Sequence, residues 1–270
     1  MNQAIYKSIK TLPPLDDTIV RIQQICNDEN SDINELIKVI QKDPMLTANI
    51  LRSANSPLYG FSREITDINR AVTLFGMATI RGFALCGAIK KSFSIDLSPY
   101  NIKDSQFMEI ATTQNALAFN WYSKIDRELL NILSPASFMM EIGKIVIAKE
   151  ILENDKNAAF KDALTHISTP SELSDLEIDM VGISNEEVTV KIFEQWNLEA
   201  EMIDAILYSN SPDDAPNHIR ASSIALKIIK NSVNIFGILS DENIQSTLTL
   251  LDTYGLEQAK FIDAVKKVKG

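Results

Sequence analysis

Apolar residues recur at three- and four-residue spacing along almost the whole chain, and two-residue alternation is nearly absent. That period is the one a helix turns toward a core, so the sequence predicts an all-α fold. Leu15, Ile19, Ile22 and Cys26 share one face of a first helix, and Leu12-Pro13-Pro14 holds its lead-in extended. Asp32 is placed to cap a second helix, with Ile33, Leu36, Ile37 and Ile40 as the buried stripe. Residues 43–76, DPMLTANILRSANSPLYGFSREITDINRAVTLFG, then hold a shape of their own. Asp43 is an N-cap, Pro44 suits the first helical position, and Leu46, Ile50, Leu51 and Ala54 form the apolar side. The helix is expected to stop at Asn55, a residue that tolerates the left-handed conformation. Pro57 drives Ser56 out of the helical region and Gly60 lets the chain turn again. Asn55, Ser56, Pro57, Tyr59 and Gly60 therefore form a rigid candidate interaction turn, with Tyr59 either an exposed anchor or packed on the next helix. That helix is capped by Thr66 or Asp67, carries Ile68, Ala71, Val72 and Phe75, and ends at Gly76; another runs from Met77 to Phe93.

Asp96 to Asn101 contains Ser98-Pro99 and reads as a short connector between parts 1–97 and 98–270. Beyond it, helices are expected over 104–124, from Pro135 through Leu152, over 156–169, over 171–180 with Ser171 as cap, and over 185–196, 199–208, 219–236, 241–254 and 256–268. Ser171–Met180 offers Leu173, Leu176 and Ile178 as its apolar face, and Gly237 and Gly255 sit where helix C-caps are useful.

Charge sharpens this division. Residues 1–97 hold 11 Lys/Arg against 10 Asp/Glu, and residues 98–270 hold 15 against 26, so the net −10 of the 270-residue chain lies in the second part. A diffuse acidic surface disfavours nucleic acid and suits solubility or a basic protein partner. Met1–Lys10 carries no signal-peptide run and no window approaches a membrane span, so a cytoplasmic location without membrane insertion is expected. Cys26 and Cys86 read as buried, inert thiols.

Candidate chemistry is sparse. The only histidines, His166 and His218, have no second histidine at i+4 and no carboxylate beside them, so neither presents a metal-ligand pair. No phosphate loop, dinucleotide fingerprint or nucleophile elbow occurs. Glu141 interrupts the apolar run 138–147; it must be paired, with Lys144 one turn on as a partner, or face water on a solvated stripe. No catalytic residue, metal ligand or cofactor is assigned from these patterns.

LPPLDD (12–17), DPMLTANILRSANSPLYG (43–60) and the AVTLFG and IRGFAL segments (71–85) together resemble the HDOD domain, the HD-related output domain of bacterial signalling proteins. The resemblance runs in order over about residues 10–210 and implies an N-terminal helical bundle packed on a degenerate form of the HD metal-dependent phosphohydrolase fold. Where relatives keep LLHDIGKLVL, this chain reads FMMEIGKIVI over 138–147, with Met140 at the His position and Glu141 at the Asp position. Asn185 stands at a second His position, Tyr208-Ser209 at a pair of them, and Thr112 or Thr113 at the upstream one. A vestigial pocket of Met140, Glu141, Lys144, Glu177 and Asn185 is thus implied. A thioether, a hydroxyl and an amide do not replace three imidazoles on a transition metal, and without the metal there is no activated water. The resemblance implies a non-catalytic regulatory module that works by contact with a protein partner. Two readings compete: a phosphohydrolase using Glu109, Glu141, Glu177 and Asp204, and a nucleotide or small-ligand sensor using the old cavity.

Overall fold

In a computed structural model, residues 3–28, 30–92 and 95–270 are described, and among them the chain is helical almost throughout. The order is α1 (Gln3–Lys10), α2 (Asp17–Asn27), α3 (Ile33–Gln41), α4 (Pro44–Ala54), α5 (Ile68–Ser92), α6 (Asp104–Tyr122), α7 (Arg127–Met139), α8 (Gly143–Glu153), α9 (Asn157–Leu164), α10 (Pro170–Val181), α11 (Asn185–Gln195), α12 (Ala200–Leu207), α13 (Asn217–Ser232), α14 (Asp241–Thr253) and α15 (Gln258–Lys269). A two-residue antiparallel hairpin, β1 (Val233–Asn234) with β2 (Gly237–Ile238), sits between α13 and α14.

Local chemistry sets the early boundaries. Asp32 and Asp43 cap where expected, whereas α2 begins only at Asp17 behind an Asp16 cap that was not foreseen. Leu15 therefore precedes the helix, and Ile33 of the expected α3 stripe is exposed. Asp16, Asp32 and Asp43 cap α2, α3 and α4, and the Asp43 carboxylate accepts from both Met45 N and Leu46 N at 3.0 Å. Of the two caps proposed for α5, Asp67 serves, accepting from Arg70 N at 2.9 Å. Gly60 (φ 69°) and Gly76 (φ 78°) take backbone angles that side chains disfavour, and Gly76 breaks α5 where the stop was expected. The expected far end of that helix, Phe93, lies outside the described residues.

Several expectations are corrected. α1 was not foreseen; its Ile5 and Ile9 are buried, and it packs on α8 and α11. Asn55 is not left-handed (φ −88°, ψ 8°); its side chain instead accepts from Ile65 N and donates to Ile65 O and Leu51 O, tying the two ends of the 55–65 loop together. Pro135 does not open a helix. Asp126 caps α7 nine residues earlier, Pro135 lies inside it, and a turn at 140–142 separates α7 from α8. α10 is capped by Thr169, not Ser171, through a reciprocal pair with Glu172, and Ile178 on its apolar face is exposed. α13 ends at Ser232, four residues short of expectation, because the chain turns into the hairpin and Gly237 pairs there instead of capping a helix.

The core is continuous across the molecule. Arg81 on α5 is buried, and its guanidinium binds Asn27 and Glu199, the residue preceding α12. Trp196 Nε1 donates to Pro13 O at 3.2 Å, anchoring the proline lead-in. Two helical stretches, Ile68–Ala88 and Arg127–Glu153, are long and apolar enough to cross a membrane, contrary to the sequence reading. They are 61 % and 89 % buried inside the fold, the pattern of core helices. Cys26 and Cys86 are half-buried; burial pushes the Cys26 thiol up to about 11, which keeps it protonated.

Candidate functional site

The turn and the pocket proposed from sequence prove to be different kinds of place. In the turn, Asn55, Pro57 and Gly60 are exposed and Ser56 is half-buried, while Tyr59 is buried. The Tyr59 ring meets Phe75, Phe83 and Phe119 edge-on at 4.9 to 5.8 Å, and its hydroxyl donates to Asn115 Oδ1 at 2.7 Å. Of the two roles left open for Tyr59, it takes the packed one.

The pocket residues do converge. The turn between α7 and α8 carries Met140 and Glu141; α8 begins with Gly143-Lys144; Glu177 comes from α10 and Asn185 starts α11. All five named pocket residues are buried. Lys144 Nζ forms an ion pair with Glu141 and lies 3.7 Å from Glu177 Oε1, so Glu141 takes the paired role and not the solvated one. Asn185 is fully committed: its N donates to Glu177 Oε2 at 2.6 Å, its Oδ1 accepts from Lys144 N at 3.1 Å, and its Nδ2 donates to Met140 O at 2.8 Å and Glu186 Oε1 at 3.2 Å. The helices approach closely enough here to require Gly143, since a Cβ there would sit 2.3 Å from Asn185 O.

Sequence reasoning missed half of this cluster. Tyr100, in the stretch read as a connector, is buried and donates its hydroxyl to Glu177 Oε1 at 2.9 Å. Glu186 is buried, pairs with Lys230 from α13, and accepts from Ser174 Oγ at 2.9 Å. Neither pairing has a local signal, since Lys230 lies 44 residues from Glu186 and Tyr100 lies 77 from Glu177. Of the competing carboxylate set, Glu141 and Glu177 come together, whereas Glu109 is exposed. Ser209 is buried with its hydroxyl unpartnered among the described residues, and Thr112 bonds its own helix at Met108 O.

Three carboxylates thus share two ammonium groups in a buried centre, and two of them, Glu177 and Glu186, shift in opposite directions. Burial alone lowers Lys144, but Glu141, Glu177 and Glu186 more than reverse this and hold it charged. Glu177 is pushed up to about 6, chiefly by burial, which Lys144 only partly offsets. For Glu186 burial also raises the value, but Lys230 and then Lys144 outweigh it and bring it down to about 2. The signs of the stability effects are opposite. Glu177 binds its proton more tightly folded than unfolded, so its contribution is full below 4.5 and lost as pH rises through about 6. The Glu186 contribution is present above 4.5 and lost as pH falls toward about 2. At about 1.4 kcal/mol per pH unit these arms are worth about 2 and about 3 kcal/mol. Urea unfolding followed against pH is expected to show that the decline between pH 4.5 and 6.5 disappears in Glu177→Gln; a decline that persists would assign it to another group.

The metal implied by an HD-type fold does not fit these residues. Met140 offers a thioether, both polar atoms of Asn185 are engaged, and a lysine ammonium is bonded to Glu141. Among the described residues, no group of three His, Cys, Asp or Glu is placed to hold a metal ion.

Comparison with known proteins places this architecture. The HDOD domain profile matches residues 12–212, nearly three-quarters of the sequence, and the chain belongs to that family. A Campylobacter jejuni subsp. jejuni virulence factor of known structure superposes with a TM-score of 0.60 at 26 % identity, over 100 % of this chain and 99 % of its own. A Shewanella amazonensis SB2B protein, named as a proposed phosphohydrolase, superposes at 0.66 with 18 % identity over 99 % and 98 %, a likeness of fold alone. An uncharacterised Treponema pallidum (strain Nichols) protein is 20 % identical over 94 % of this chain, which spans only 52 % of that relative's length.

Proposed function

We propose that this protein is a non-catalytic signalling module of the bacterial cytoplasm, acting through contact with another protein. The observation that carries the reading is the Lys144 ammonium held between Glu141 and Glu177, with Asn185 saturated beside it. The centre where an HD enzyme would work is here a closed ion-pair network. The contact surface is assigned to the exposed Asn55, Pro57 and Gly60 and to a cavity of about 450 Å³ between α5, α7 and the start of α12, lined by Met77, Arg81, Ile132, Glu199 and Glu201. Its carboxylates suit a basic partner surface.

Two measurements test this. Purified protein assayed on phosphate esters with iron, manganese or zinc is expected to show no hydrolysis above the metal alone. Stoichiometric metal with hydrolysis that Glu141→Ala abolishes would overturn the non-catalytic half. Affinity capture from the native cell is expected to lose partners on Pro57→Arg or Glu201→Lys while the variants stay folded; identical partners from wild type and both variants would remove the surface assignment.

A further inference from the structure

A second cavity, of about 380 Å³, opens between the start of α10, the loop after α12, and helices α13 and α14. Two lysines, Lys227 and Lys230, line it, and no carboxylate does. In a chain with 36 Asp/Glu and a net charge of −10, a concave wall of that composition is built against the prevailing charge. Asn210, Asn231, Ser246 and Thr249 complete its polar side, with Thr169 and Ser171 from the α10 start.

The two ammonium groups differ. Lys230 is buried and committed, paired to Glu186 and 3.5 Å from Asn210 Oδ1. Lys227 is half-buried and makes one hydrogen bond among the described residues, to Asn210 O at 2.6 Å. An ammonium has three protons to donate, so two of its positions are unfilled by protein. Asp213, the carboxylate that acts on Lys227, is itself bonded to Arg220. Burial, and then Lys230, hold the Lys227 value below the usual lysine range, although Asp213 opposes them: the charge is partly desolvated without a carboxylate to pair it. Glu172, at the α10 start, is exposed and turned to the Ser168 and Thr169 amides.

We propose that this cavity binds a small phosphate-bearing anion, with Lys227 as its main electrostatic contact and the Ser171 and Ser246 hydroxyls as further donors, the Thr249 hydroxyl being turned to Gln245 O. Lysine is a point-charge phosphate binder, and two hydroxyls beside one ammonium suit an anion with oxygens on all sides. The volume falls at the small end of the roughly 300–1,000 Å³ range of ligand pockets, the size of a phosphate ester no larger than a mononucleotide. Lys227, Lys230, Asn231, Ser246 and Thr249 lie beyond residue 212, where the family match ends, whereas Thr169, Ser171 and Asn210 lie within it, so the wall is shared between the matched region and the C-terminal helices. Lys230 also joins the wall to Glu186, and through it to Asn185, so an occupied cavity touches the buried network directly. The proposal goes beyond the protein-contact reading and stands or falls separately from it.

Isothermal titration of the full chain with inorganic pyrophosphate, AMP and succinate tests it. Saturable binding of a phosphate compound is expected, with succinate silent; the pyrophosphate and AMP arms separate a bare phosphate site from a nucleotide site. Lys227→Gln, which removes one charge-assisted hydrogen bond, is expected to weaken binding by about tenfold or more. Ser246→Glu, at an exposed helix position, is expected to abolish it by placing a carboxylate in the wall. Ser246→Glu is expected to keep the ligand-free thermal midpoint of the wild type, and Lys227→Gln to lower it only by the loss of the bond to Asn210 O. No saturable binding at millimolar concentration, equal binding of succinate, or binding indifferent to both substitutions overturns the site.

Discussion

Lys144→Met is expected to lower the unfolding free energy by about 3–5 kcal/mol, the cost of removing one partner from a buried ion pair. The ammonium is 2 % exposed and serves two carboxylates, Glu141 by direct contact and Glu177 at 3.7 Å. Methionine fills a similar volume but returns nothing to either oxygen. Glu177 keeps its bonds from Tyr100 and Asn185, whereas Glu141 would be left with none among the described residues, since its Oε1 already lacks a partner. The double variant Lys144→Met/Glu141→Leu is therefore expected to recover most of the loss, because an apolar pair of matched shape needs no compensation. Urea denaturation of the two single variants and the double closes the cycle. A Lys144→Met cost below about 1 kcal/mol would mean that water reaches the ammonium and that the centre is not closed.

Which of these groups could be read from the chain follows from how far each bond reaches. Asp43, Pro44, Gly60 and Gly76 act on their own backbone or within three residues, and the structure puts each where the sequence did. Glu141 and Lys144 are three apart, so their pairing was one of two roles open from spacing alone. Asn55 shows the limit: its residue type marked the helix end, but the bonds to Ile65 that fix its conformation depend on where the loop returns. Pro135 was misplaced because proline favours a helix start, and only Asp126 reveals that the helix has already begun. Tyr100, Glu186 and Lys230 were missed for a stronger reason. Each is an ordinary surface-type or connector residue until tertiary packing removes its water, and packing over 44 to 77 residues leaves no periodic trace. The family resemblance grouped Met140, Glu141, Lys144, Glu177 and Asn185, which the structure brings together, but it gave no hint that Lys230, beyond the family match, joins them through Glu186.

Tyr59→Ala is the other substitution with a large expected cost, about 3–5 kcal/mol, typical of emptying an aromatic site in a core. The ring is 3 % exposed and sits among Phe75, Phe83 and Phe119, so truncation leaves a cavity walled by rigid rings that collapse poorly. Tyr59→Phe isolates the hydroxyl. It leaves Asn115 Oδ1 without its donor, while Asn115 Nδ2 still bonds Ser134, and about 1–2 kcal/mol is expected from that buried acceptor. Thermal or urea unfolding of the pair separates packing from hydrogen bonding. The comparison with Pro57→Arg, two residues away and exposed, decides what the 55–60 turn is for. If Tyr59→Ala costs less than Pro57→Arg, the turn does not depend on its tyrosine for support. If the order is as expected, the tyrosine holds the turn in place from beneath, and the exposed residues above it are free to be chosen by a partner.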